Sequence, residues 1–288
     1  MGESCIVLAT DLSAHAAPAA RWAARVAASL GARVVVAHVI EISLKSWLAA
    51  RYDILADDET RAEAEGRVAA WYRQATGAEP DAIDLRVNTC FNGLSEAVQA
   101  HGARLLVMSP TGKSTLAQIV VGSRVQELAS RPPCALVVAA DDRLPARIGA
   151  ATDFSPGSVV ALGLAGELAR GTGAELVALH VAEVPDLPAF EEDLFADSFE
   201  TFYAEARDAL GRTAAAAFGD TLDVRQEVLH GRAEVALDEY ARDQGLDVLV
   251  LGQTGHDSVL GDMLGSVPRS LIGRLPCSVL VVPVERAE

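Results

Sequence analysis

The chain has 288 residues, half of them apolar and 22% charged, with 40 acids against 24 bases and a net charge of −16. That balance lacks the basic stripe that displaces counterions from a nucleic acid, and it disfavours docking on anionic membranes. A small anionic ligand stays possible, because backbone N–H groups alone can hold one.

At roughly 150 residues per domain the length suggests two domains. No apolar run reaches the ~18 residues of a membrane span. The start, MGESCIVLATD, meets an acid before any signal-peptide apolar region, so a cytoplasmic protein is expected. Cys5, Cys90, Cys134 and Cys277 have no CxxC spacing and read as reduced, mostly buried thiols.

In chain order, Cys5–Ala9 is an unbroken apolar run of the kind seen in strands covered on both faces. A helix is predicted over Ala14–Leu30, with Pro18 in its first turn. Then come a strand (Arg33–Val39), a helix (Asp57–Thr76), a strand (Ile83–Val87), a helix (Leu94–His101), a strand (Leu105–Ser109), a helix (Gln118–Ser130) and a strand (Ala135–Ala139). The order then repeats: Ile148–Ala151, Val159–Arg170, Glu175–Val181, Glu191–Phe218, Leu222–Leu229, Glu234–Asp243, Val248–Leu251, Asp262–Gly273 and Ser278–Val282. Parallel strands with crossover helices imply doubly wound, Rossmann-like α/β domains, each a five-stranded, mostly parallel sheet flanked by helices.

The repeat is in the letters too. Thr10-Asp11-Leu12-Ser13 returns as Thr152-Asp153-Phe154-Ser155, and Gly112 through Gly122-Ser123 returns as Gly255 through Gly265-Ser266. The offset is 142 early and 143 late. The expected domains are therefore residues 1–143 and 144–288.

Ligands of such sheets sit beyond the carboxyl ends of the strands. After the fourth strand of the second copy stand Gly252-Gln253-Thr254-Gly255, nine further residues, then Gly265-Ser266 opening a helix. Glycines permit tight turns and close approach; a helix start with a hydroxyl suits phosphate. Thr152-Asp153-Phe154-Ser155 puts a carboxylate on the same rim, suited to a ribose or a base amine and repellent to phosphate.

These features resemble the universal stress protein family, twice over and nearly along the whole chain. The family's ATP-binding pattern of Gly, two residues, Gly, nine residues, then Gly-Ser or Gly-Thr matches Gly252, Gly255, Gly265 and Ser266. The resemblance implies that Asp153 binds the nucleoside and that the backbone of Val181 contacts adenine; the Pro276–Val282 finish is also family-like. Thr152, Ser155, Thr254 and His256 complete the candidate site. The first copy keeps Asp11, Val39, Gly112, Gly122 and Ser123, but Ser109 replaces the first glycine and Pro110 removes an N–H. It ranks as the weaker site; Lys113 is a candidate phosphate contact there, where the second copy has His256.

The resemblance implies an ATP-, ADP- or AMP-binding stress-response regulator, with Mg²⁺ as a candidate companion of the phosphates. The alternatives are a nucleotide-independent interaction scaffold and a slow ATP hydrolase. An unidentified protein partner is expected. By the same resemblance, the last strands, Ala135–Ala139 and Ser278–Val282, should meet in an internal pseudo-dimer, and a homodimer is a further option. Other patterns carry less. Gly112-Lys113-Ser114 lacks the earlier P-loop glycine, since position 107 is Val107. Gly171-Thr172-Gly173 lies between helix and strand and reads as a helix C-cap. His38 and His180 read as structural histidines, and no histidine spacing suggests zinc.

Overall fold

The computed structural model describes residues 4–41, 58–110, 121–183, 189–219, 222–255 and 264–283. The chain divides into two units, Met1–Leu144 and Pro145–Glu288.

The first unit runs β1 (Cys5–Ala9), a 3₁₀ turn (Ala14–Ala16), α1 (Ala17–Leu30), β2 (Arg33–Ile40), α2 (Asp58–Thr76), β3 (Ala82–Val87), α3 (Cys90–His101), β4 (Leu105–Met108), α4 (Ser123–Ser130) and β5 (Ala135–Val138). Its strands are parallel, in the order β3-β2-β1-β4-β5. The second unit runs β6 (Arg147–Ala151), α5 (Pro156–Thr172), β7 (Glu175–Ala182), α6 (Ala189–Phe218), β8 (Val224–His230), α7 (Ala233–Asp243), β9 (Val248–Gly252), α8 (Ser266–Arg274) and β10 (Ser278–Val282). Its order is β8-β7-β6-β9-β10, again all parallel. In both units the order reverses after the first strand, and right-handed crossovers then place helices on both faces. This is the predicted doubly wound class.

The apolar runs of the central strands follow from that covering. Every residue of β1, β4, β5 and β10 is buried. Edge strands β3 and β8 are only partly buried and carry charges such as Arg86, Arg225 and Glu227. The first-to-second strand connections are an alanine-rich helix (α1) and an alanine- and glycine-rich one (α5), which end on left-handed glycines, Gly31 (φ 62°) and Gly173 (φ 73°). Gly173 is the C-cap that its place between helix and strand suggests.

Element ends depart from the sequence reading in several places. Helix α3 starts at Cys90, four residues early, because Thr89 Oγ1 accepts the Asn92 N–H at 3.3 Å. Gly93 lies inside it; a Cβ there would stand 2.8 Å from Val39 Cγ2, so glycine lets α3 close on β2. Helix α5 starts at Pro156, not Val159, under the Ser155 cap. Helices α4 and α8 begin at Ser123 and Ser266 behind the extended caps Gly122 and Gly265. The predicted starts at Asp57, Gln118 and Asp262 lie outside the described residues. In the first unit the predicted helix from Ala14 is a 3₁₀ turn followed by α1.

Candidate functional site

The switch point of the second unit lies between β6 and β9, where strand order reverses, and a crevice opens there by geometry alone. A cavity of about 790 Å³ occupies it. Its lining joins the end of β6 (Ala151, Thr152, Asp153), the end of β7 (His180, Val181, Glu183), the end of β9 (Leu251, Gly252) and the start of α8. Of the predicted residues, Thr152, Asp153, Val181, Gly252, Thr254, Gly255, Gly265 and Ser266 all line it. Ser155 lies just behind, buried, and His256 lies outside the described residues.

The chain leaves β6 through a sharp turn. Phe154 adopts φ 66°, a left-handed conformation that costs a non-glycine residue about 1 kcal/mol or more. Side chains hold it there: the Phe154 N–H donates to Thr152 Oγ1 (2.9 Å), and the Ser155 N–H donates to Asp153 Oδ1 (3.0 Å). Ser155 Oγ also donates to Asp153 Oδ1 at 2.6 Å and accepts the Ser158 N–H at 3.3 Å, capping α5. Asp153 is therefore fixed by two donors on one oxygen. His180 Nδ1–H donates to the Thr152 carbonyl at 2.9 Å, and the Phe154 ring lies 4.3 Å from its imidazole. His180 is the structural histidine expected, as is His38, bonded to the Thr10 carbonyl at 2.8 Å.

The glycines earn their places by space, not by left-handed φ. None of Gly252, Gly255 or Gly265 has a positive φ, so none is demanded by a left-handed backbone. A Cβ on Gly252 would stand 3.1–3.3 Å from the Gly157–Ser158 backbone of α5, so this glycine serves strand–helix packing rather than ligand approach. A Cβ on Gly255 would stand 2.4 Å from Asp153 Oδ2. That glycine makes room for the carboxylate. The intervening Gln253 is buried and pins the loop: its N–H donates to Val282 O (2.8 Å), and its carbonyl accepts the Gly265 N–H (2.9 Å). The Gly265 amide is thus spent, and Pro268 carries none. The first-turn donors of α8 are the Ser266 and Val267 N–H groups, with the Ser266 hydroxyl beside them.

The sequence reading missed the outer wall. Glu183, Arg232, Ala233, Glu234 and Leu237 reach the cavity from the β7 end and the β8–α7 connection. Glu183 Oε1 accepts the Ala233 N–H at 2.8 Å and so caps α7 from across the sheet; Arg232 pairs with Glu234. The signal was Gly231, left-handed at φ 98°, directly after the third strand of the copy.

The first unit repeats the frame. Leu12 is left-handed (φ 62°), its N–H donates to Thr10 Oγ1 (2.9 Å), and the Ser13 N–H donates to Asp11 Oδ1 (2.9 Å). The Gly122 N–H donates to the Pro110 carbonyl (2.9 Å), as Gly265 does to Gln253. Ser13 Oγ, the counterpart of Ser155 Oγ, is buried without a hydrogen-bond partner among the described residues. Val39 packs on α3, Ser123 opens α4, and Gly112 and Lys113 lie outside the described residues. Glu41 Oε1 accepts the Cys90 N–H at 3.1 Å, capping α3 as Glu183 caps α7. Hydrogen bonding from Arg124 holds the Glu41 carboxyl below its usual range, and burial pushes the Cys90 thiol up to about 11.

Among the described residues no helix is long and apolar enough to cross a membrane, and no cluster of three metal-ligating side chains occurs. Residues 5–140 and again 146–283 match the model of the universal stress protein family. The chain is 29% identical over 294 residues to a universal stress protein of Mycolicibacterium smegmatis, covering 96% of each. It is 26% identical over 296 residues to universal stress protein Rv2005c of Mycobacterium tuberculosis, again covering 96% of each. The crystal structure of a universal stress protein from Archaeoglobus fulgidus DSM 4304 superposes with a TM-score of 0.65 at 20% identity, over 98% of this chain and 99% of that one.

Proposed function

The chain belongs to the universal stress protein family, and from that premise we propose that it is an adenine-nucleotide-binding regulator of a stress response, with its principal site in the second unit. The observation that carries the reading is the switch-point cavity of about 790 Å³, a size suited to a small-molecule ligand. Its chemistry divides along its length. At one end the Ser266 and Val267 N–H groups, the Ser266 hydroxyl and the positive end of the α8 dipole suit a phosphate chain. Asp153, fixed by Ser155, suits a ribose hydroxyl or a base amine and would repel phosphate. Val181, Leu237, Leu264 and Val267 supply apolar surface for a flat base. In this reading Thr152, Ser155, Gly252, Gly255 and Gly265 shape the site, Thr254 lines it, and Asp11, Val39, Gly122 and Ser123 form a weaker second one.

Regulation then requires that the nucleotide bind two conformations, or free and partner-bound chains, with different affinity. ATP, ADP and AMP share the groups this site would hold, and Mg²⁺ would accompany the longer phosphate chains.

The test is mass spectrometry of small molecules released from freshly purified protein, with ligand counted per chain. Adenine nucleotide is expected, and Gly265→Trp should remove it from the second unit. At 100 times its dissociation constant, added Mg-ATP should stabilise the wild-type unit by about 2.7 kcal/mol. No released nucleotide together with no thermal shift would overturn the reading in favour of a scaffold. Phosphate release in the same preparation separates a regulator from a slow ATP hydrolase.

A further inference from the structure

The two units carry different side chains at one point that the repeat makes equivalent. Arg124 is the second residue of α4; its counterpart in the second unit is Val267, which lines the cavity. A cation in the first turn of a helix runs against the dipole, so α4 gains nothing from it locally. Its partner comes from the end of β2. Arg124 Nη2 is ion-paired to Oε2 of Glu41, the residue that follows β2. The other oxygen of Glu41 is already committed to the Cys90 N–H at 3.1 Å. Glu41 therefore anchors both α3 and the arginine. Around the second cavity, Glu183 makes the matching bond to Ala233, and the position equivalent to Arg124 is Val267, which lines the same cavity.

We propose that Arg124 sets the nucleotide affinity of the first unit by lying across its mouth, as a built-in cation paired to Glu41. This rests on the reading of the second-unit cavity as a nucleotide site. A nucleotide entering between the end of β2 and the start of α4 must break the ion pair and displace a side chain much larger than valine. The pair is half-exposed, at 60% and 37% for the two side chains, so breaking it alone weakens binding by up to about fivefold. The displaced volume adds to that. An arginine that instead reached for the phosphates would strengthen binding, so the sign of the effect decides the role.

The experiment uses the full chain and Mg-ATP, with affinities from titration calorimetry. Gly265→Trp silences the second unit, and Arg124→Val is then added. The first-unit dissociation constant should fall fivefold or more. An unchanged or higher value, or no binding in either variant, overturns the proposal. A reciprocal arm does not depend on the Gly265 variant folding: Val267→Arg in the otherwise wild-type chain should weaken the second site fivefold or more, and tighter or unchanged binding overturns the proposal. A wild-type second unit that takes no nucleotide contradicts the functional reading instead, while the Arg124→Val comparison still reads the first unit by itself.

Discussion

A Cβ on Gly255 would meet a carboxylate oxygen at 2.4 Å, and one on Gly252 would meet helix backbone at 3.1–3.3 Å. The two glycines should therefore fail differently. Gly255→Ala must push Asp153 off the rim and is expected to weaken nucleotide binding at least tenfold with little change in melting temperature. Gly252→Ala presses on the start of α5, where backbone cannot yield cheaply, and should cost about 1–3 kcal/mol of stability. Calorimetry and thermal melts on the two variants check this; equal effects on both readouts would refute the distinction. The thiols make a second residue-scale prediction. Burial raises Cys134 to about 12 and Cys90 to about 11, and raises Cys5 as well. Only the thiolate is nucleophilic. Native protein at pH 8 should thus react slowly with a thiol reagent at these three positions and quickly once unfolded.

Helix α5 begins where Asp153, Ser155 and Ser158 interlock, and that cap also holds the site. Ser155→Ala removes the cap and one of the two donors to Asp153 Oδ1. Loss of an N-cap of this kind costs about 1 kcal/mol, and nucleotide binding should weaken with it. In the first unit the same serine position carries no such pair, because Ser13 Oγ has no hydrogen-bond partner among the described residues. Ser13→Ala should therefore be neutral or slightly stabilising. A drop in stability matching that of Ser155→Ala would contradict this account. The elements themselves follow from periodicity, but their ends follow from caps. Thr89 and Ser155 start helices earlier than apolar spacing predicts, since a side-chain acceptor can satisfy N–H groups before the first buried residue.

All three tryptophans, Trp22, Trp47 and Trp71, belong to the first unit, so fluorescence excited selectively in tryptophan follows that unit. That unit also holds Glu41 and Asp142, whose carboxyls are pulled below their ordinary range by hydrogen bonds from Arg124 and Arg21. A depressed folded pKa stabilises the fold above the unfolded pKa, and the stability is lost as pH falls through the folded value. Denaturant melts followed by fluorescence should be flat above about pH 5 and weaken below about pH 4. Both pairs are largely solvent-screened, so each should account for less than about 1 kcal/mol. Glu41→Gln with Asp142→Asn should flatten the acid limb; an unaltered limb would place its origin elsewhere.

The fold class was legible in the sequence because buried parallel strands leave unbroken apolar runs, and the repeat displayed each run twice. The candidate site was legible where it is written in glycine spacing and in Thr152-Asp153, since those residue types are dictated by crowding and by a rim position. The reasons for them were not. That Gly252 faces helix backbone and Gly255 faces a carboxylate depends on segments about 100 residues apart, which only folding brings within van der Waals range. Left-handed Leu12 and Phe154 left no mark, because neither residue type favours that conformation and side chains two residues away enforce it. Glu183 and Arg232 joined the outer wall only when β7 and β8 paired side by side. Arg124 carries no signal in the sequence, because only the fold sets Glu41 opposite it. Local pattern determined the elements and the rim residues, since each is set by its own neighbours in the chain. Tertiary structure decided what each rim residue faces, since distance across a sheet is fixed by strand order and register rather than by sequence separation.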